Sequence, residues 1–113
     1  MSAITTHVLD TSTGRPGRGI SVALEYASAE GWQLVGSGKT DDDGRLRDLI
    51  PAGEAVTEGS YRLTFQVGQY FMDQGVECFF PQISITFEVK DAGQRYHVPL
   101  LVSPFGYSTY RGS

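Results

Sequence analysis

Two histidines, His7 in "ITTHVLD" and His97 in "RYHVPLLV", are the side chains of this sequence best suited to moving protons. Imidazole has an unperturbed pKa near 6.5, so it can take up and return a proton close to neutral pH. Each histidine lies in a run that alternates apolar and polar residues, the pattern of a strand with one buried face. If Ile4 and Val8 face a core, then Thr5, His7 and Leu9 face away from it. If Tyr96, Val98, Leu100 and Val102 face the core, then Arg95, His97, Pro99 and Leu101 face away. Both histidines therefore share an outward face with leucine, as expected of a surface that a ligand or second subunit covers. The plainer reading is that single exposed leucines are common and a lone surface histidine more often has no function.

The pair gains weight from the stretch that follows. "RYHVPLLVSPFGYSTYRGS" contains three tyrosines, a phenylalanine and two prolines besides His97, whereas terminal residues are usually polar and frayed. Such side chains are expected either to pack as a final strand or to be held against a site of chemistry.

The elements that must position these residues read as all-β. In "SYRLTFQV", Tyr61, Leu63, Phe65 and Val67 point one way and Arg62, Thr64 and Gln66 the other. "ISITFEVK" sends Ile83, Ile85, Phe87 and Val89 inward, and "ISVALEYA" does the same with Ile20, Val22, Leu24 and Tyr26. Turn signals separate the runs at "TGRPGRG", "AEG", "TDDDG", "PAGEAVTEG" and "KDAG",. Of these "PAGEAVTEG", before the strand at Tyr61, is the one loop long enough to look mobile. "GQYFMDQGVECFF" does not alternate, and a helical turn or two is expected near Gln69 to Gln74, ended by Gly75. Seven or eight strands with one short helix would close two sheets over a common core as a β-sandwich. At 113 residues the chain, 1–113, is expected to be one domain,.

Composition excludes several classes. Hydrophobic residues make up 40% and charged residues 19%, which argues against disorder,. The formal charge is −4, and seven arginines and two lysines are scattered rather than clustered, so no nucleic-acid partner is expected. A single cysteine, Cys78, rules out an internal disulfide framework and favours the cytoplasm,. Beside Phe79 and Phe80 it reads as a small buried hydrophobe. No signal peptide or membrane span is evident.

Two motifs mislead. "GSGKT" lacks the glycine five residues upstream that a phosphate loop needs, Gln33 standing there instead,; it reads as a strand entering a turn. Asp41, Asp42 and Asp43 are adjacent, whereas a calcium loop alternates its acids,. They read as a solvated turn, with Gly44 supplying a left-handed conformation. Catalytic zinc takes three protein ligands, and two histidines with no supporting glutamate spacing predict neither a metal nor another cofactor.

"TTHVLDTSTGRPGRG", "TDDDGR" and "HVPLLVSPFGYSTYRGS" together resemble the 5-hydroxyisourate hydrolases of the transthyretin-like family, over nearly the whole chain. The resemblance implies a two-sheet sandwich assembled as a homotetramer, a dimer of dimers with active sites where subunits meet. It implies hydrolytic opening of the six-membered ring of 5-hydroxyisourate to 2-oxo-4-hydroxy-4-carboxy-5-ureidoimidazoline, on the route from urate to allantoin. It further implies catalytic roles for His7, Arg45, His97 and Ser113, and substrate contacts from His7, Arg45, Tyr110, Arg111 and Gly112. One histidine would activate water and the other donate or relay a proton, with their order open, while Arg45 would polarise the attacked carbonyl. Two other readings compete. One is a tetramer whose groove binds a small aromatic ligand without converting it, and the other is a sandwich module that mediates protein contacts.

Overall fold

The computed structural model describes residues 3–51 and 54–113. Its elements are β1 (Ile4–Asp10), β2 (Arg15–Pro16), β3 (Ser21–Ser28), β4 (Gly31–Lys39), β5 (Arg45–Leu46), β6 (Gly59–Phe65), α1 (Val67–Met72), β7 (Ile83–Val89), β8 (Tyr96–Ser103) and β9 (Gly106–Thr109). One sheet runs β2-β1-β8-β9 with β5 also paired to β1, and the other runs β4-β3-β6-β7. The inner faces meet in one cluster that includes Ile4, Val8, Leu24, Leu63, Phe65, Ile83 and Leu100. Each such fully buried side chain contributes about 1.5–3 kcal/mol by leaving water. This is the two-sheet sandwich that alternation predicts, and Tyr26 and Phe87 complete it from partly buried positions.

Three differences from expectation have physical causes. The helix begins at Val67 rather than near Gln69. Val67 is buried as alternation required, but it is paired four residues on with buried Phe71, the spacing of a helix face rather than a strand,. Gly75 does end the turn: at φ 70 its N–H bonds to Met72 O and the Val76 N–H to Phe71 O, a Schellman closure. Among the described residues nine strands form rather than seven or eight, because β2 and β5 are two-residue pairings along the edge of β1. Pro99 is buried, not exposed, since it sits mid-strand in β8 with β1 on one side and the end of β9 on the other.

The long loop after Ile50 has no regular structure in its described part; Ala52 and Gly53 lie outside the described residues. "GSGKT" runs along β4 into the turn at Thr40. Thr40 ties that turn down, accepting from the Ile20 N–H and donating to Gly17 O. Cys78 is partly buried against the core.

Candidate active site

Strand register gathers the site. β1 and β8 run parallel with Thr5 opposite His97 and His7 opposite Pro99, while β5 runs antiparallel with Arg45 opposite His7. Residues opposite one another across a pair share a face, and residues two apart on one strand share it at a separation of about 7 Å. Thr5, His7, His97 and Arg45 therefore all rise from the outer face of one sheet. The pairing joins segments far apart in sequence.

The triple-aspartate turn sets Arg45 in place. The Asp41 carboxylate accepts the Asp43 and Arg45 N–H groups, each at 2.9 Å, folding the acids back over their own backbone. Its pKa is lowered, first by the Arg45 N–H bond, with burial opposing and the Asp43 N–H bond and the charges of Arg47 and Arg45 adding to the fall. Gly44 takes φ +78, and a Cβ there would lie 2.4 Å from Val8 O, so only glycine permits both the turn and its contact with β1. The Gly44 carbonyl accepts the Val8 N–H at 2.8 Å. The turn reaches His7 directly: Nε2 lies 2.9 Å from Asp43 O. A carbonyl can only accept, so Nε2 carries the proton and neutral His7 keeps Nδ1 as its basic nitrogen.

His97 is held differently. Its Nδ1 lies 2.8 Å from Thr5 Oγ1, and a hydroxyl can either donate or accept. With Thr5 accepting from a protonated Nδ1, Nε2 is the free basic nitrogen, which can take a proton and later return it while Nδ1 stays protonated. Burial lowers the His97 pKa, aided by the charges of His7 and Arg45. The neutral, basic form is favoured below the pH at which a free histidine would charge.

The C-terminal segment is docked, not frayed. The β8–β9 register that sets Leu100 opposite Thr109 continues to an isolated bridge between His97 and Gly112. Pro99 has no N–H to offer Tyr110, so the ladder breaks there and resumes when the Gly112 N–H bonds His97 O at 2.8 Å,. A Cβ on Gly112 would come within 2.6 Å of His97 Cδ2, so the bare glycine lets backbone lie flat against the imidazole.

An open hollow of about 240 Å³ lies over this face, lined by Thr5, Thr6, Arg45, Arg47, Arg95, His97 and Ser113. Of the residues expected at the site, Arg45, His97 and Ser113 meet there. His7 stands beside it through Arg45, and Gly112 backs the His97 ring. Tyr110 is 58% exposed. Arg111 turns away: its guanidinium stacks 4.5 Å from the Tyr96 ring and donates to Gln94 Oε1 and Arg95 O. Both line a second, more apolar hollow with Ile85, Phe87 and Val98. Sequence reading missed Thr5, Arg47 and Arg95. Alternation had put Thr5 and Arg95 on the correct faces, but only the parallel register shows which histidine Thr5 meets. Among the described residues no three potential metal ligands cluster.

A model of the HIUase/Transthyretin family matches residues 4–112. The 5-hydroxyisourate hydrolase of Caulobacter vibrioides is 44% identical over 117 aligned residues, covering 100% of both chains. The structure of Klebsiella pneumoniae 5-hydroxyisourate hydrolase superposes with a TM-score of 0.84 at 34% identity, covering 97% of this chain and 98% of that one. Sea bream transthyretin, solved with thyroxine, superposes with a TM-score of 0.90 at 28% identity, covering 97% and 94%. The backbone follows the hormone-bound protein at least as well as the hydrolase, so the fold does not choose between them. The side chains must.

Proposed function

The chain belongs to the HIUase/Transthyretin family, and we propose that within it this protein is a hydrolase that opens the six-membered ring of 5-hydroxyisourate in urate degradation. The observation that carries the reading is a neutral-leaning imidazole and a guanidinium, His97 and Arg45, lining one hollow with Ser113. A groove built only to hold an aromatic ligand has no need of a base set beside a guanidinium.

The residues support the following sequence of steps. Arg45 binds the carbonyl oxygen and stabilises the negative charge that grows there as water attacks. His97 Nε2 takes the proton from that water, while Nδ1–H stays hydrogen-bonded to Thr5 Oγ1, which steadies the imidazolium,. The carbon–nitrogen bond breaks and the departing nitrogen takes a proton from the imidazolium, which restores the neutral ring. The attacked carbonyl becomes the carboxylate of 2-oxo-4-hydroxy-4-carboxy-5-ureidoimidazoline, and the freed nitrogen ends its ureido group. His7, fixed by Asp43 O, orients Arg45 and the substrate edge rather than serving as the first base. Ser113 and backbone at Gly112 offer donors and acceptors to the urea-like edges, and Arg111 holds the segment that carries them, whereas Tyr110 lines the second hollow.

We further propose that residues 1–113 act as one domain in a cytoplasmic homotetramer, a dimer of dimers whose sites lie at subunit boundaries. Supporting this, the hollow is open on its outer side, and half-buried Leu9 and Leu101 share its sheet face. The lone Cys78 suits a reducing compartment,. To test the activity, 5-hydroxyisourate is generated from urate with urate oxidase and its ultraviolet decay followed with and without this protein. Accelerated decay is expected, and loss of acceleration on deleting Tyr110 to Ser113. Decay at the spontaneous rate with the intact chain would leave the ligand-binding reading in its place.

A further inference from the structure

Three guanidinium groups, those of Arg45, Arg47 and Arg95, line the hollow, and no acidic side chain does. None of the three has a side-chain hydrogen bond or an ion pair within 4.0 Å among the described residues, whereas Arg18, Arg62 and Arg111 each have a partner. Asp41 feels the charges of Arg47 and Arg45, but its carboxylate is occupied by the Asp43 and Arg45 N–H groups. A protein of net charge −4 thus gathers three guanidinium groups without close side-chain partners among the described residues in one concavity. Like charges so placed repel one another, and the arrangement is relieved when an anion enters. A concave, low-dielectric wall also focuses the field on what enters.

The placement divides the work. Arg45 is half-buried opposite His7, whereas Arg47 and Arg95 are exposed. Arg47 lies two residues beyond Arg45 and Arg95 two before His97, so strand periodicity turns both toward the site from its two flanks. A ring N–H set between two carbonyls is acidic, and its loss leaves a planar anion whose charge spreads over oxygen and nitrogen. A guanidinium fork matches such an edge with paired donors.

We propose that Arg47 and Arg95 are specificity-determining positioning residues that make the hollow select the deprotonated, anionic form of a small planar cyclic imide or ureide. The inference deepens the hydrolase reading and rests on it for the identity of the substrate. Charge at the rim acts on capture and orientation, so its effect falls on KM. Arg47→Gln and Arg95→Gln are each expected to raise KM for 5-hydroxyisourate about three- to fivefold, with kcat within about twofold of the parent. Arg47→Lys and Arg95→Lys are expected to recover most of the loss. For the parent, KM should climb as sodium chloride is raised from about 20 to about 300 mM, because screening shortens the reach of these charges. The double glutamine variant should show a much flatter dependence. Unchanged KM in both single variants, a loss confined to kcat, or an unaltered salt dependence in the double variant would overturn the proposal while leaving the hydrolase reading intact. Calorimetric titration gives a second readout that does not need turnover: urate, a planar purine anion at neutral pH, should bind the parent more tightly than neutral hypoxanthine, with the preference reduced in the double variant. If the parent fails to accelerate decay, the hydrolase reading falls alone, and equal binding of the two purines then decides against anion selection as well.

Discussion

The outer faces of the two sheets treat their cations in opposite ways. On the β3–β6 face, Arg62 donates through Nε and Nη2 to Glu25 Oε1 at 2.9 and 2.7 Å and lies 4.3 Å over the Trp32 ring. Around it, Thr64 meets Ser84 and Ser60 donates to Glu88. On the β1–β8 face, Arg45, Arg47 and Arg95 line a hollow with a histidine and have no such partners among the described residues. The first face spends its polar groups on one another and so stabilises the sheet. The second leaves them directed at a concavity, which is the arrangement a reaction requires and a stable surface avoids. The contrast separates a functional face from a structural one on a sandwich whose two outer surfaces are otherwise similar.

The largest expected break in that contrast is His97→Asn. Removing a positioned base costs on the order of 10² to 10⁴ in rate, so decay of 5-hydroxyisourate should fall close to its spontaneous value. Circular dichroism and oligomeric state should not change, because asparagine can keep the outward position on β8. A variant that retains most of its activity would remove His97 from the chemistry.

Gly112→Ala should come next. Its Cβ would lie 2.6 Å from His97 Cδ2, so the ring must shift, and the Thr5–His97 hydrogen bond of 2.8 Å shifts with it. A displacement of about 1 Å at a reacting group can cost on the order of 10² in rate. Steady-state kinetics should show the loss in kcat, with thermal stability little altered. Equal activity in the alanine variant would mean the segment touches the ring without positioning it.

Titration sharpens the comparison by direction. Burial, then the charges of His7 and Arg45, lower the His97 pKa. A base must be neutral, so the acid limb of the rate–pH profile is expected below pH 6.5. Arg45→Gln removes one of the charges that disfavour imidazolium, and the limb should move up toward that value, whatever happens to the rate at its plateau. A limb that moves down or stays fixed would show that another group governs it.

Much of this was legible in the sequence, and what was not has a common cause. Alternation identifies the faces of β1, β3, β6, β7 and β8 because a residue's face depends only on its neighbours in the chain. It places His7, His97, Thr5 and Arg95 outward for the same reason. Which outward residues meet is a matter of register between strands nearly a hundred residues apart, so the Thr5–His97 pair was not readable. Pro99 was misjudged as exposed because alternation reports the face, not whether neighbouring strands cover it. The Asp41–Asp43 stretch reads as a solvated turn, and the three aspartates are exposed in such a turn. Its function as the clamp that brings Arg45 opposite His7 depends on Gly44 packing against Val8, a contact that no local pattern carries. Arg47 and Arg95 look like any solvated arginine until the hollow between them is seen. Arg45, Tyr110, Arg111, Gly112 and Ser113 are singled out by family resemblance, not by periodicity.

The smallest effect lies on the other face and tests whether it is structural alone. Glu25 and Arg62 are partly exposed, with side-chain accessibilities of 24% and 30%, so solvent screens the pair and its contribution should not exceed about 1 kcal/mol. Glu25→Ala removes the acceptor but leaves Arg62 over Trp32, where a cation on an aromatic face retains part of its stabilisation,. A modest fall in stability to chemical denaturation is therefore expected. Arg62→Ala should cost somewhat more, since it removes the ion pair and the ring contact together. In a double-mutant cycle the coupling energy isolates the Glu25–Arg62 term from the stacking. Hydrolysis of 5-hydroxyisourate should be unaffected in all three variants. A change in kcat at unchanged stability would mean that the two faces communicate through the core, and the division between them would have to be abandoned.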